Sequence, residues 1–289
     1  MEIKDLVGLE KPATELINRV SDAVGGIAKP WQIRRVARGE ADAKKILAAA
    51  DLEITEMRER AIKRMVLEEE KNQQNIEAIT TKAIPHLSDN AKPGDLDEDF
   101  VRYLFEKARL VSNEEMQSIW AKILAGEASK AGSFSRRTMD IVSQMRKEDA
   151  ELFTRLCRNV WILGGEPVPI ITETDSRSDD ISLSFEELQH LDDIGLINFE
   201  SVSSFLRSGF RKRGLVTYYG CPVILEFAAD QENELQVGHV MLTTSGKDLV
   251  HIAGSASSTK AFESVLEFML TAGVGFSVPI DAKDRYLAL

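Results

Sequence analysis

Between Gln32 and Ala83 the chain has no proline and a single glycine, Gly39. A stretch so free of helix breakers, and so rich in Ala, Glu, Lys and Arg, constrains the fold more than any other feature and predicts a long helix. Within it Ala43, Leu47, Ala50, Ile54, Met57 and Ala61 recur at alternating four- and three-residue steps. That is the spacing of a heptad seam, and Lys44, Lys45, Glu53, Glu56, Arg58 and Glu59 flank it. At a rise of about 1.5 Å per residue, one continuous helix here exceeds roughly 70 Å. The seam is thin: half its positions are alanine, and Arg64 stands where the next apolar residue is due. The pattern resumes only loosely at Met65, Ile76 and Ile79. Two readings stay open, a helix folded back on others of the same chain and a seam along which copies of the chain assemble.

The preceding segment, residues 3–28, places Ile3, Leu6, Val7, Ala13, Ile17, Val20 and Val24 at helical spacing. Pro12 suits a first helical turn, Gly25-Gly26 ends the helix, and Lys29-Pro30-Trp31 reads as a linker. Such an amphipathic helix can lie on a membrane surface. Its polar face mixes Glu15, Arg19 and Asp22, however, whereas surface-binding helices are Lys/Arg-rich, so packing against protein is the expectation.

From residue 91 onward the character shifts twice. His86–Asp97 is dense in turn formers and marks a boundary near residue 90, after which Asp97 or Asp95 caps a helical block. Its first stripe is Phe100, Val101, Leu104, Phe105 and Ala108. Asn113 then caps a helix whose inner face is Met116, Ile119, Trp120 and Ile123. Residues 136–145 and 149–161 read as two more helices. After Gly164-Gly165 the pattern becomes α+β. Residues 168–171, 196–199, 215–227, 235–242 and 274–280 are strand-like. Helices are capped by Ser184, begun by Thr244-Ser245, and placed at 258–270. The expected fold is mainly α with a C-terminal α+β domain: a helical arm (1–90), a helical bundle block (91–163) and a winged-helix-like part (164–289).

The chemistry-bearing residues do not converge. Cys157 and Cys221 form no CxxC and read as buried thiols of a reducing compartment. His86, His190, His239 and His251 are scattered, so no metal site is expected. Ser245-Gly246-Lys247 lacks both the upstream glycine and the following Ser/Thr of a phosphate loop. Ser257-Ser258-Thr259-Lys260 has the Ser-x-x-Lys spacing without its companion motifs, and Gly273-Val274-Gly275 lacks a third glycine. No catalytic residue, cofactor or metal is expected. The N-terminus carries no secretory h-region and no stretch reaches the apolar length of a membrane span, so the expected location is cytoplasmic.

A net charge of −11 repels polyanions, which leaves nucleic-acid binding dependent on a local basic face. Arg207, Arg211, Lys212 and Arg213, interleaved with Phe205, Phe210, Tyr218 and Tyr219, form the one such cluster. Cations beside aromatic rings suit single-stranded nucleic acid or an acidic protein, and an exposed loop is the plain alternative. Residues 185–197 look like the last helix and first strand of a winged-helix domain. That helix bears Glu186, Glu187, Asp192 and Asp193, which oppose a phosphate backbone, so a protein contact is expected there rather than DNA.

Three blocks carry a family likeness: Asn113–Glu127 with its Trp120-Ala121-Lys122-Ile123-Leu124-Ala125 core, Gly132–Thr138, and Lys147–Phe153. With Leu9–Pro12 and Lys29–Arg35, they resemble the bacterial domain-of-unknown-function 2806 family. The Trp120–Ala125 block is also similar to abortive-infection proteins of the alpha type. The resemblances imply a bacterial setting and a role in phage defence, and they supply no reaction, ligand or functional residue. The reading that follows is a non-enzymatic interaction or scaffold protein, homo-oligomeric through its N-terminal helices, whose C-terminal domain recognises a protein partner. Nucleic-acid recognition through residues 207–213 is the alternative, and a membrane-active effector using residues 3–28 a weaker one.

Overall fold

The computed structural model describes residues 11–25, 56–171 and 181–279, which form two compact units, residues 1–143 and 144–289. The boundaries expected at 90 and 163 differ from this division for a physical reason. Residues on both sides of 90 share one core, and the segment expected to close the helical block opens the second unit.

In the first unit, α1 (Lys11–Val24) buries Ala13, Leu16, Val20 and Ala23 against α3 (Glu98–Ala108) and the 3₁₀ turn Pro93–Asp95. Arg19 Nε donates to the Leu96 carbonyl at 2.8 Å and Arg102 Nε to the Ala23 carbonyl at 3.3 Å, fixing its C-terminal half. The helix α2 (Glu56–Ala83) packs its C-terminal part on α4 (Glu114–Ser129). Asp97 and Asn113 cap α3 and α4 as their sequence positions predict, accepting from Phe100 N at 2.8 Å and Met116 N at 3.0 Å. Leu104, Phe105, Trp120, Ile123, Leu124 and Ile79 fill the core between them.

A buried polar network ties α2 to α4. Asn75 donates to the Arg109 carbonyl (2.7 Å), and Gln117 donates to Asn75 Oδ1 (3.2 Å) and to the Val111 carbonyl (2.9 Å). At the end of α4 the buried Glu127 carboxylate accepts three backbone N–H groups, from Gly132 (2.6 Å), Ser133 (2.9 Å) and Phe134 (3.1 Å). It thereby folds the loop that leads into α5 (Arg136–Gln144). Phe134 lies back over Gly126 of α4, where a Cβ would stand 2.6 Å from its ring and push it aside.

The second unit opens with α6 (Lys147–Cys157). The helix expected to run to Trp161 stops at Cys157, because Val160-Trp161-Ile162-Leu163 is a β-branched and aromatic run before Gly164-Gly165. Those glycines, both at positive φ, turn β1 (Val160–Leu163) into β2 (Glu166–Pro169). Then come α7 (Phe185–Asp193), β3 (Ile197–Phe199), β4 (Phe205–Phe210), β5 (Arg213–Tyr218), β6 (Cys221–Glu226), β7 (Asn233–Gly238) and β8 (Val240–Leu242). The helices α8 (Thr244–Val250) and α9 (Thr259–Thr271) precede β9 (Gly275–Ser277). The strand expected over 215–227 is two, split by a hairpin turn at Tyr219-Gly220, and that over 235–242 is likewise two.

The order β2-β1-β5-β6-β9 makes an antiparallel five-stranded sheet. Its inner face (Trp161, Val216, Tyr218, Val223, Leu225) packs with Phe262, Val265, Leu266 and Met269 of α9. Two ribbons, β3–β8 and β4–β7, stand outside it. Where β7 ends, Gly238 (φ +94°) meets Ile171 so closely that a Cβ would lie 1.8 Å from its carbonyl oxygen. The overall class is therefore mixed, helical with a C-terminal β part. Both cysteines are free and buried.

Candidate functional site

The most unusual surface is the first part of α2. Helices in globular proteins are held mainly by an apolar face buried against a neighbour. From Glu56 to Gln74 this helix has no buried residue, whereas Asn75, Ile76, Ile79, Thr80 and Ala83 are all buried. Stepping back from Ala83 by threes, fours and sevens gives Ile79, Ile76, Asn72, Met65, Ala61 and Met57. The same face that is core at one end is bare at the other. Met57, Met65 and Leu67 are 69%, 63% and 57% exposed. The i,i+4 pairs Arg60–Glu56 (3.3 Å) and Arg64–Glu68 (3.5 Å) support the helix only weakly, being solvent-exposed. Charge is biased along this half: Arg58, Arg60, Lys63 and Arg64 outnumber Glu56 and Glu59 in its first part, and Glu68-Glu69-Glu70 outnumber Lys71 in the next. Of the expected seam, Met57 and Ala61 sit on this bare face, and Ala43, Leu47, Ala50 and Ile54 lie outside the described residues. Met65 and Leu67 were not among the seam residues. Their signal was present as large apolar side chains inside a charged run, but they fall off the strict heptad.

The basic cluster is not a loop. Arg207 lies in β4 and Arg213 opens β5, with Arg211 and Lys212 joining the strands. Two of the cations already face a carboxylate, and the charge of a third acts on one. Arg213 Nε is 3.1 Å from Glu226 across β5–β6, Lys212 Nζ is 3.1 Å from Asp230, and Arg207 acts on Glu166, which also pairs with Lys247 at 2.5 Å. Those two cations, Lys247 first, hold the Glu166 carboxyl below its ordinary range. Arg211 is exposed and has no ion pair among the described residues. Tyr218 does not join the cluster at all: it is fully buried, with Trp161 and Phe262 at ring-centroid distances of 5.0 and 5.5 Å. Its hydroxyl donates to the Arg158 carbonyl (2.9 Å) and accepts from Ser258 N (2.8 Å). Strand alternation decides this, since Tyr218 shares the inward phase of Val216.

On α7, Ser184 and Glu187 form a reciprocal capping box, with Glu187 N to Ser184 Oγ at 3.2 Å and Ser184 N to Glu187 Oε2 at 2.9 Å. Glu187 also pairs with Arg155, and the half-exposed His190 donates to Asp149 at 2.7 Å, so two bonds clasp α7 to α6. Burial raises the Asp149 pKa, but the Arg146 backbone N–H (2.7 Å) and His190 outweigh it and leave the carboxyl below its ordinary range. Asp192 is spent on the Phe199 N–H at 3.2 Å, which leaves Glu186 and Asp193 as the exposed charges of this helix.

A further polar cluster escaped the sequence reading because its members are far apart in the chain. Tyr103 donates to Asp140 at 2.6 Å, with Lys107 and Arg136 each over its ring at 5.2 and 5.3 Å. The bond to Asp140 raises the phenol pKa, which makes Tyr103 a poor nucleophile. Among the described residues no group of three His, Cys, Asp or Glu side chains could hold a metal ion, and no helix is long and apolar enough to cross a membrane.

A family model described as a protein of unknown function (DUF2806) matches residues 59–266. No curated protein and no solved structure matches the chain.

Proposed function

The chain belongs to the DUF2806 family, and within it we propose that this protein is a non-enzymatic interaction or scaffold protein that self-assembles through the first half of α2. The observation that carries this is the bare face of Met57, Ala61 and Met65, continuous with a face that is core further along the same helix. Most helical stability in proteins comes from packing an amphipathic face rather than from propensity, so a partner for that face is the physical expectation. The net basic charge before Met65 and the net acidic charge after it favour a second copy running antiparallel, which sets the 58–64 stretch of each chain against Glu68–Glu70 of the other with Met65 near the two-fold axis.

The test is the solution mass of the full chain by light scattering, alone and as the double variant Met57→Glu/Met65→Glu. Both residues are exposed, so the variant keeps its fold; the reading expects a dimer or larger for the native chain and a monomer for the variant. A native chain that is monomeric at tens of micromolar sinks it. Met65→Cys adds the orientation: under mild oxidation it forms a cross-linked dimer, and Met57→Cys does not.

We read residues 144–289 as the partner-recognition part, on a winged-helix-like arrangement. The order α7–β3 followed by β8 returning antiparallel to β3 supports that reading, with β4–β7 inserted between the wing strands. Its contacts are to protein rather than DNA, because α7 presents carboxylates and two of the four cations of the basic cluster, Arg213 and Lys212, already pair with Glu226 and Asp230. Fluorescence anisotropy with labelled single-stranded DNA and RNA at low salt decides the alternative, and salt-sensitive binding lost in Arg211→Ala would revive it. A membrane-active role is disfavoured because α1 spends its apolar face on α3 and the 93–95 turn. The phage-defence setting rests on the two resemblances alone, one of them that of the 120–125 block. Trp120, Ala121, Ile123, Leu124 and Ala125 are buried there, so that likeness speaks for shared packing rather than a shared reaction.

A further inference from the structure

The hairpin between β5 and β6 holds an outlier. Tyr219 (φ +45°) and Gly220 (φ +82°) are the central residues of a two-residue turn that needs positive φ at both positions. Asn, Asp or Gly usually takes the first of them. A tyrosine there costs on the order of 1 kcal/mol. Its side chain closes one end of a cavity of about 280 Å³ within residues 144–289. The Tyr219 hydroxyl donates to the Cys157 carbonyl at 3.0 Å and lies 2.5 Å from Ser255 Oγ. With its own proton directed to that carbonyl, the phenol oxygen can accept from Ser255. Turned towards a ligand instead, Ser255 becomes a donor. Burial raises the Tyr219 pKa, so the phenol stays protonated at neutral pH.

The remaining walls fix the chemistry. Val160, Ile162, Pro167 and Val250 make an apolar slot, and His251 stands exposed at its edge. No Asp or Glu lines the cavity, in a chain whose net charge is −11. The positive charge of Arg158 acts on Tyr219 from the side. Burial pushes the Cys157 thiol far above its ordinary range, so it contributes wall and not a thiolate. One hydroxyl donor, Ser255, with the His251 imidazole among the lining residues, apolar walls and no carboxylate suit a ligand with one anionic end and an apolar body of about ten non-hydrogen atoms.

We propose that this cavity binds small apolar monocarboxylates, the carboxylate taking the Ser255 hydroxyl and His251 while the ring or alkyl body fills the slot against Val160, Ile162 and Val250. The site is independent of assembly through α2.

The probes are benzoate, benzamide and benzylamine, measured on the full chain by calorimetry and by ligand-observed saturation-transfer NMR. Benzoate is expected to bind saturably with a dissociation constant of about a millimolar or tighter. Benzamide and benzylamine are expected to bind at least tenfold more weakly. Ser255→Ala removes a half-exposed hydroxyl and Val250→Phe fills the slot; each is expected to weaken benzoate at least tenfold with an unchanged circular dichroism spectrum. Should one variant fail to fold, the other carries the comparison. The proposal falls if benzoate shows no saturable binding, if benzylamine binds as tightly, or if a folded variant binds benzoate as the native chain does.

Discussion

Replacing Glu127 tests the strongest claim about the first unit, that a single buried carboxylate folds the loop after α4. Its two oxygens divide the work. Oε1 accepts from Gly132 N, and Oε2 accepts from both Ser133 N and Phe134 N. Hydrogen bonds to a charged group contribute about 1.5–3 kcal/mol each, but the carboxylate's own desolvation offsets part of the sum. Gly132 is exposed and its N–H can return to water, whereas Phe134 is only 8% exposed, so its N–H stays unsatisfied when the acceptor goes. The net cost of Glu127→Ala is then about 3 kcal/mol. Glu127→Gln keeps one carbonyl oxygen for Ser133 and Phe134 and turns an NH₂ towards the Gly132 N–H, for a cost of about 1–2 kcal/mol. At about 3 °C per kcal/mol for a unit of this size, the thermal transition drops by roughly 9 °C for alanine and roughly 4 °C for glutamine. Differential scanning calorimetry of the full chain resolves it, the lower transition being assigned by the variants themselves. If both variants unfold within about 2 °C of the native chain, the carboxylate is not what orders residues 130–134.

Four further outcomes follow from specific contacts. Tyr218→Phe loses the bonds to the Arg158 carbonyl and Ser258 N–H, so urea unfolding should show about 2 kcal/mol less stability, with nucleic-acid anisotropy unchanged. Gly238→Ala places a Cβ 1.8 Å from the Ile171 carbonyl oxygen; an insoluble or unfolded second unit is expected, and a normal near-ultraviolet spectrum would contradict the close approach. Asn75→Ala leaves Gln117 short of a partner and should cost about 2 kcal/mol by denaturant titration. For Asp149, whose folded pKa is depressed, the stabilisation is fully present above the ordinary Asp value near pH 4 and is lost as pH falls through the lowered folded pKa. The melting temperature of the native chain should therefore fall more steeply than that of Asp149→Asn as the pH drops below the ordinary Asp value near pH 4.

What the sequence discloses depends on whether a residue's role is set by its neighbours in the chain or by the far side of the fold. Caps are local, and Asp97, Asn113 and Ser184 cap their helices as read, because a side-chain oxygen three residues before an orphan N–H needs no tertiary help. The apolar stripe of α4 is local too, and Trp120 and Ile123 are indeed core. The errors lie where period and context compete. Val160–Leu163 continues a helical stretch without a proline, and its β-branched and aromatic residues tell that it is a strand only together with the pair of glycines after it. The 207–213 cluster looked like a charged surface because its compensating carboxylates, Glu166, Asp230 and Glu226, are brought in by β2, the β6–β7 turn and β6. Net charge near a cation is a property of the sheet, and a linear reading sees only one sign of it. The face of α2 is the converse case. Its periodicity is legible from Met57 to Ala83, yet nothing local distinguishes the half that buries residues against α4 from the half that buries none. A helix that carries one apolar face past the end of its own bundle leaves Met57 and Met65 in water, at a cost of about 1.5–3 kcal/mol for each large side chain left unburied. A second copy that covers both faces recovers that energy twice, which is why assembly is the first property to measure.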